Sequence, residues 1–317
     1  MMGTGPFAEP TFQALLDASE HKVLALVTNP DRPSGKDRVM ERPIKQLAQQ
    51  RGVPVFQPES PNTAESVATL RRWEAELLVV ADYGHILAAQ VLGTASRGGI
   101  NVHGSLLPKY RGAAPIVWAL LNGEKETGVT VIRMSTQLDA GHMLAQEAVE
   151  ILADETAGQL EARLAPLGAQ LALQVISQIA DGTAHGVPQD PAKVTKAPKL
   201  KKEHGLIDWT QSADQIARHI RAMQPWPTAY TYWHRPTGSP VRLQIFQAQL
   251  LPVTTRHKPG TVAHVSPDML GIAAGDGTVL SLLRIQAAGK KELPVVDFLR
   301  GQPLEVGQKF GAEQVVG

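Results

Sequence analysis

The chain has 317 residues and a mass of 34.1 kDa, which is long for one hydrophobic core and sufficient for two domains. Hydrophobic residues make up 43% and charged residues 19% of it, a composition typical of globular proteins. Cysteine is absent, which excludes disulfides, thiolate zinc sites and a cysteine nucleophile. The sequence has neither an apolar run of about 18 residues, as a membrane span requires, nor a signal-peptide pattern, so we predict a cytoplasmic protein without membrane contact.

Charge is distributed unevenly along the chain. Residues 1–189 contain 15 Lys and Arg against 20 Asp and Glu, a balance of −5, whereas residues 190–317 contain 16 against 10, a balance of +6. Together they give the formal net charge of +1. A basic second half favours a polyanionic partner, although a chance fluctuation explains the same counts.

The first half of the chain alternates between helical and strand-like segments. Apolar periodicity and capping signals predict helices after Pro10, at 43–50, through 67–73, at 114–121 and up to about residue 179. Apolar runs predict strands at 21–28, 53–56, 77–81, 100–103, 128–134 and 144–151. This alternation is typical of an open, mostly parallel, Rossmann-like α/β sheet.

The N-terminal residues Gly3-Thr-Gly5 resemble the glycine turn that follows the first strand of a doubly wound sheet. Only Met1 and Met2 precede this turn, whereas a strand usually has about 5–6 residues. We therefore predict that the first strand is missing. Either the native chain begins upstream of Met1, which we favour, or the sheet closes without that strand.

Residues 189–204 interrupt the alternation, since they are rich in lysine and proline and lack apolar periodicity. Beyond them Ser212 and Gln215 form a capping-box pattern for a short helix. Five short strands are predicted at 230–233, 241–250, 260–265, 269–273 and 279–285, with a hairpin turn at 275–277. These strands indicate a small OB-like β-barrel. The predicted organisation is therefore an α/β domain at 1–188, a basic linker at 189–204 and a barrel domain at 205–317.

Asn101 and His103 are the most informative polar pair. Residues two apart on a strand project from the same face, and this pair lies at the carboxyl end, where open α/β sheets bind ligands. A carboxamide beside an imidazole suits a carbonyl group that becomes tetrahedral, because Asn donates to the oxyanion and His moves a proton. Structural hydrogen bonding is nevertheless the more common role of such a pair.

Asp139 follows the predicted strand 128–134, in a turn that ends with Gly141. A carboxylate there would orient an imidazole, although capping of local backbone amides is the commoner role. Ser105 lacks the flanking pattern of a nucleophile elbow, and the chain contains no phosphate-binding Gly-x4-Gly-Lys motif. The other histidines show no ligand spacing, so we predict no metal.

Four motifs in this order carry a family resemblance: Asn101-x-His103, Ser105-Leu-Leu-Pro108, Arg111-Gly112 and Leu138-Asp139-x-Gly141. Together they resemble the signature of the folate-dependent formyltransferase family. The strings at 99–115 and 29–35 are most similar to the members that formylate methionyl-tRNA, and the match extends from Gly3 to about residue 293. Besides the missing strand, the chain departs from the family pattern at Arg133 and Thr136. Family members often have an acidic residue at the position of Thr136.

The resemblance implies a reaction of translation initiation. The donor, a substrate, would be 10-formyltetrahydrofolate, and the acceptor would be the α-amine of methionine on initiator tRNA. Asn101 would hold the oxyanion, His103 would move the proton, and Asp139 would orient His103 directly or through water.

The resemblance also implies binding residues. Those lining the folate pocket, or neighbouring it after strand 77–81, would be Ser105, Leu106, Leu107, Pro108, Tyr83, Gly84 and Ile86. Those meeting tRNA would come from the loop at 29–45 and from the linker, namely Arg32, Lys36, Arg38, Arg42, Lys199, Lys201 and Lys202. Lys36 stands where the family often has an arginine, and only arginine makes a bidentate base contact. On composition alone, that loop is an ordinary solvated loop.

Several alternatives remain open. A formyltransferase acting on an amino sugar or nucleotide, or a 10-formyltetrahydrofolate hydrolase, would share Asn101, His103 and Asp139, so only the basic loop and linker favour tRNA. An alternative of a different class is a protein that binds nucleic acid or folate without catalysis. The barrel would then serve binding or only pack the domains together. We expect a monomer.

Overall fold

The computed structural model describes residues 1–31 and 41–314. The chain divides into two compact units. Unit 1 comprises Met1–Ile116, Lys125–Ile151 and Gln159–Lys199, and unit 2 comprises Val117–Glu124, Leu152–Gly158 and Leu200–Gly317. The domain and linker bounds derived from the sequence stay predictions. Within the described residues, the helices are all too short or too polar to cross a membrane.

Several helices begin at a proline or at a capping side chain. They are α1 Glu9–Asp17, α2 Pro43–Gln50, α3 Ala64–Arg72, α4 Ala89–Leu92, α5 Pro115–Leu121, α6 Ala157–Ala180, α7 Ala213–Ala222 and α8 Val295–Gly301. The Thr63 hydroxyl accepts the Ser66 N–H at 3.2 Å and begins α3, which is the usual role of an N-cap threonine. The predicted capping box of Ser212 and Gln215 is confirmed at the start of α7.

Unit 1 is built on a mostly parallel sheet, which confirms the predicted fold class. Its strands and the short pair beside it are β1 Met2–Gly3, β2 Leu26–Val27, β3 Val55–Phe56, β4 Leu78–Ala81, β5 Gly99–His103, β6 Arg111–Gly112, β7 Glu126–Arg133, β8 Met143–Glu150 and β9 Lys196–Ala197. The sheet order is β3-β2-β1-β4-β5-β7-β8. The strands from β3 to β5 are parallel, and β7 and β8 add antiparallel partners. Strands β6 and β9 pair separately.

The prediction of a missing first strand is wrong. Met2 and Gly3 form β1, which lies between β2 and β4 and pairs with both in parallel. Met2 is 1% exposed, so it occupies the core position of an ordinary central strand. Gly3 permits this tight fit, because a Cβ there would lie 2.7 Å from the Ala8 Cβ and 2.9 Å from the Ala81 oxygen. The prediction rested on the usual length of a strand. Two residues are enough here, because they pair with the short strands β2 and β4 on either side.

Unit 2 contains an antiparallel sheet that curls into a small barrel, as predicted. Its strands are β10 Ala229–His234, β11 Val241–Thr254, β12 Val262–Ser266, β13 Met269–Ala273, β14 Thr278–Ala287, β15 Leu293–Pro294 and β16 Lys309–Gly311. The order is β12-β13-β14-β11-β10-β16, and β15 pairs with β14. A bridge between Thr261 and Lys309 joins the two ends of this order. The sequence analysis missed β16, whose three residues show too little alternation to be recognised.

Candidate active site

Strand β5 places the two predicted catalytic side chains on one face. It lies inside the sheet, parallel to β4 and antiparallel to β7. Ile100 and Val102 are buried core residues, and the alternation of a strand turns Asn101 and His103 to the opposite face. His103 is 5% exposed, so its imidazole has protein neighbours on nearly every side.

The carboxylate of Asp139 connects these side chains. One carboxylate oxygen accepts a hydrogen bond from Asn101 Nδ2 at 3.1 Å. The other accepts the Gly112 N–H at 2.9 Å and lies 3.7 Å from His103 Nδ1. The structure therefore brings together three side chains that belong to two separate motifs of the sequence.

The neighbours of His103 assign its tautomer. Its Nε2 lies 3.0 Å from the Tyr110 carbonyl oxygen, and a carbonyl oxygen only accepts, so Nε2 carries the proton. In the neutral ring, Nδ1 then has the lone pair and faces Asp139. The 3.7 Å separation from the nearer Asp139 oxygen is too long for a direct hydrogen bond but short enough for electrostatic attraction to a protonated ring. Nδ1 is consequently the nitrogen that can take up a proton beside a carboxylate.

Hydrogen bonds inside unit 1 hold the loop that follows β5. Ser105 Oγ donates to the Lys109 oxygen at 2.7 Å. Thr130 Oγ1 donates to the Ser105 oxygen at 2.6 Å and accepts the Leu107 N–H at 3.1 Å, while Gln146 Nε2 donates to the Leu107 oxygen at 2.9 Å. These bonds fix the loop directly after Asn101 and His103. The role of Ser105, Leu106, Leu107 and Pro108 in a folate pocket stays a prediction.

The three residues predicted to neighbour a pterin follow β4. The Tyr83 side chain is 2% exposed and belongs to the core of the sheet, and its burial raises the pKa of the phenol to about 12. Its carbonyl oxygen accepts from Asn29 Nδ2 at 3.1 Å. Ile86 is 59% exposed, and Gly84 has a φ of +80°. Tyr83 thus belongs to the core, and the role of all three residues beside a pterin stays a prediction.

Asp82 is a second carboxylate at the end of β4. A Cβ on Gly5 would lie 1.7 Å from Asp82 Oδ2, so only glycine leaves room for this side chain against the N-terminal turn. Desolvation raises the pKa of Asp82 to about 6, partly opposed by the charge of Arg42. The residue as a whole nevertheless keeps exposed surface.

The structure describes four of the seven residues predicted to bind tRNA, since Arg32, Lys36 and Arg38 lie outside the described residues. Arg42 is half-buried before α2. Its charge partly opposes the rise that desolvation causes in the pKa of Asp82. The linker residues Lys199, Lys201 and Lys202 are exposed, and Lys201 Nζ lies 3.7 Å from a Glu203 carboxylate oxygen. Their contact with tRNA stays a prediction.

Sequence reasoning missed the backbone groups of the site. The Tyr110 carbonyl and the Gly112 N–H bind His103 and Asp139, yet neither depends on a recognisable side chain. The Arg111-Gly112 motif was a partial signal, because Gly112 has a φ of +131° and a Cβ there would lie 2.4 Å from the Ala197 oxygen. Within residues 1–31 and 41–314, there is no group of three or more His, Asp and Glu that could hold a metal ion.

Comparison with known families matches both units. The family described as formyl transferase matches residues 1–176, and the formyl transferase C-terminal domain matches residues 199–303. A methionyl-tRNA formyltransferase of Agathobacter rectalis is 39% identical over 310 residues, which are 98% of each chain. A methionyl-tRNA formyltransferase of Magnetococcus marinus is 42% identical over 311 residues, 98% of this chain and 97% of that protein.

A solved structure supports the fold. The N-formyltransferase of Helicobacter canadensis, solved in complex with folinic acid and dTDP-3-aminofucose, superposes with a TM-score of 0.63. The alignment covers 90% of this chain and all of that one at 17% identity, which supports a shared fold but not a shared acceptor. The family-model matches and the near-complete alignments at about 40% identity show that this chain belongs to the methionyl-tRNA formyltransferase family.

Proposed function

We propose that this protein transfers the formyl group of 10-formyltetrahydrofolate to the α-amine of methionine on initiator tRNA. The observation that carries the proposal is the convergence of Asn101, His103 and Asp139 in one site. This site lies within a chain that aligns almost end to end with proteins named methionyl-tRNA formyltransferase. The geometry provides for acyl transfer, and the relatives indicate the acceptor.

Asn101 acts on the formyl oxygen. Its Nδ2 carries two hydrogens, one of which is directed at Asp139 at 3.1 Å. The second donates to the formyl oxygen as the amine attacks and negative charge builds on that oxygen. Asp139 fixes the amide plane, so the donor is oriented before the reaction begins.

His103 moves the proton. When the amine nitrogen bonds to the formyl carbon it becomes an ammonium, and Nδ1 of His103 accepts the surplus proton. The bond from the formyl carbon to N10 then breaks, and the same proton passes to N10, which releases tetrahydrofolate and formyl-methionyl-tRNA. Asp139 stabilises the intermediate imidazolium from 3.7 Å.

Basic residues provide the attraction for tRNA. The loop at 29–45 and the lysines 199, 201 and 202 carry positive charge, and contacts of Lys and Arg with phosphate need no particular sequence. The folate pocket is proposed to include the loop at 105–108 and the backbone after β4. We place the reaction in the cytoplasm, and we propose that the protein acts as a monomer.

The test is a formylation assay with purified protein, 10-formyltetrahydrofolate and methionyl initiator tRNA. Parallel reactions contain an amino-sugar nucleotide, or no acceptor. We expect formyl-methionyl-tRNA from the first reaction and little product from the others. Faster formylation of the amino sugar, or release of formate without an acceptor, would overturn the assigned acceptor.

A further inference from the structure

The segment 187–197 belongs to unit 1, and the proposed reaction assigns it no task. At one end, Val187 exchanges two backbone hydrogen bonds with Met143 at the start of β8, both at 2.8 Å. At the other end, Thr195 Oγ1 accepts the Tyr110 N–H at 2.8 Å, and β9 pairs with β6. The segment therefore contacts the loop whose backbone provides partners to both His103 and Asp139.

Gln189 extends from this segment to the Asp139 loop. Its Nε2 donates to the Asp139 carbonyl oxygen at 2.8 Å and to the Gly141 carbonyl oxygen at 2.9 Å. Asp139 has a φ of +48°, a left-handed conformation that is unfavourable for a residue other than glycine. The two hydrogen bonds therefore hold the backbone at and after a strained residue whose carboxylate must point at Asn101 and His103.

Arg111 fixes the orientation of the Gln189 amide. Its Nε and Nη2 donate to Gln189 Oε1 at 3.0 and 2.8 Å. A guanidinium has donors only, so the amide oxygen must face Arg111 and the amide nitrogen must face the two carbonyls. Glutamate at this position would place an oxygen against two carbonyl oxygens, and methionine would remove all four hydrogen bonds.

We propose that Gln189 is a positioning residue that holds the Asp139 carboxylate in register with Asn101 and His103. It acts through the backbone of Asp139 and not on the reacting groups. The inference rests on the proposed function, because the register matters only if Asp139 serves formyl transfer. It gives the first residue of the predicted linker a role in unit 1.

The kinetic test uses the full chain with Gln189→Met and Gln189→Glu. We expect kcat for formylation to fall about 10- to 100-fold, the cost of slightly misplaced catalytic groups, with KM for both substrates within about twofold. Glutamate retains the pairing with Arg111, so an equal loss in both variants assigns the effect to the two donated bonds. Gln170→Met and Gln170→Glu, on the exposed side of α6, are the matched controls and should retain kcat.

A second measurement needs no turnover. The NMR resonances of the Gly112 amide and the His103 ring report the position of the Asp139 carboxylate, since both lie next to it. We expect both to shift in Gln189→Met and to stay in place in Gln170→Met. Unshifted resonances, or an unchanged kcat in an active protein, would overturn the inference. Failure of the wild type to formylate methionyl-tRNA would instead overturn the proposed function. If Gln189→Met does not fold, Gln189→Glu supplies both the kinetic and the NMR measurement.

Discussion

Asp82 and Asp139 are two aspartates that follow strands of the same sheet in contrasting surroundings. Asp139 accepts hydrogen bonds from Asn101 and from the Gly112 N–H and faces an imidazole. Asp82 lies against Gly5, and desolvation raises its pKa to about 6. Both have left-handed backbones, with φ values of +48° and +42°. The two carboxylates therefore share a place after a strand and differ in the groups that face them.

The contrast extends to the role of glycine. Gly112 brings a backbone N–H onto the Asp139 carboxylate, whereas Gly5 only leaves space for the Asp82 carboxylate. One glycine thus supplies a hydrogen-bond donor to its aspartate, and the other leaves room for an aspartate whose carboxylate is partly desolvated.

The largest effect is expected at the imidazole that Asp139 faces. His103→Ala removes the proton-moving group, so kcat should fall by about 10²- to 10⁴-fold while tRNA binding is retained. Single-turnover formylation and a filter-binding assay measure the two quantities. His185→Ala, at an exposed position of the same unit, is the control. Unchanged turnover in His103→Ala would refute the role assigned to this residue.

The paired substitutions Asp139→Asn and Asp82→Asn compare the two carboxylates directly. Asp139→Asn keeps the size of the side chain but removes the charge beside His103, and we expect a loss of about 10²- to 10³-fold in kcat. Asp82→Asn should stay within about twofold of the wild type, since Asp82 is outside the proposed reaction. Equal losses in the two variants would show that the carboxylates do not differ in function.

Gly112→Ala tests the backbone donor. A Cβ at this residue would lie 2.4 Å from the Ala197 oxygen and would force a φ of +131° on alanine, which we expect to cost about 1–3 kcal/mol of unfolding free energy. The added strain should also move the N–H away from Asp139 and reduce kcat. Chemical denaturation measures the first effect. Gly182→Ala is the comparison, since Gly182 has a φ of +71° but no atom near the new Cβ. A similar loss of unfolding free energy in both variants would assign the cost to the backbone angle φ alone.

The smallest effect is expected for the stability change of Asp82→Asn with pH. Because the folded-state pKa is raised from 3.8 to about 6, the folded wild type binds more protons than the unfolded chain between these values. Its stability therefore falls as pH rises through this window. Asp82→Asn lacks this loss of stability. Its stability should therefore equal that of the wild type below about pH 4 and exceed it by a constant amount above about pH 6.

Solvent around the exposed part of Asp82 screens its charge, and we expect the Tm advantage at pH 7.5 to be only about 2 °C. Thermal unfolding at pH 4 to 8 measures the difference. Asp181→Asn, at an exposed position after α6, should show no such step in this range. A constant difference between Asp82→Asn and the wild type across the range would contradict the raised pKa.

The sequence alone was sufficient for much of the fold and for naming three side chains that the structure brings together. The spacing of Asn101 and His103 placed both on one face, because alternation is a property of any strand. The periodicity of apolar residues located α2, β4 and the barrel strands β10 to β14. Ordered motifs linked Asp139 to the same site, although the sequence could not give its distance from His103.

Only the tertiary structure decided the features that depend on backbone groups and distant segments. The strand β1 has two residues, and its central place follows from pairing with β2 and β4, which no local pattern encodes. The Tyr110 carbonyl and the Gly112 N–H come from the segment that follows β5, whereas the Gln189 amide comes from a distant one. Every residue except proline carries the same backbone N–H and C=O groups, so sequence patterns identify candidate side chains, while chain folding decides which backbone groups hold them in place.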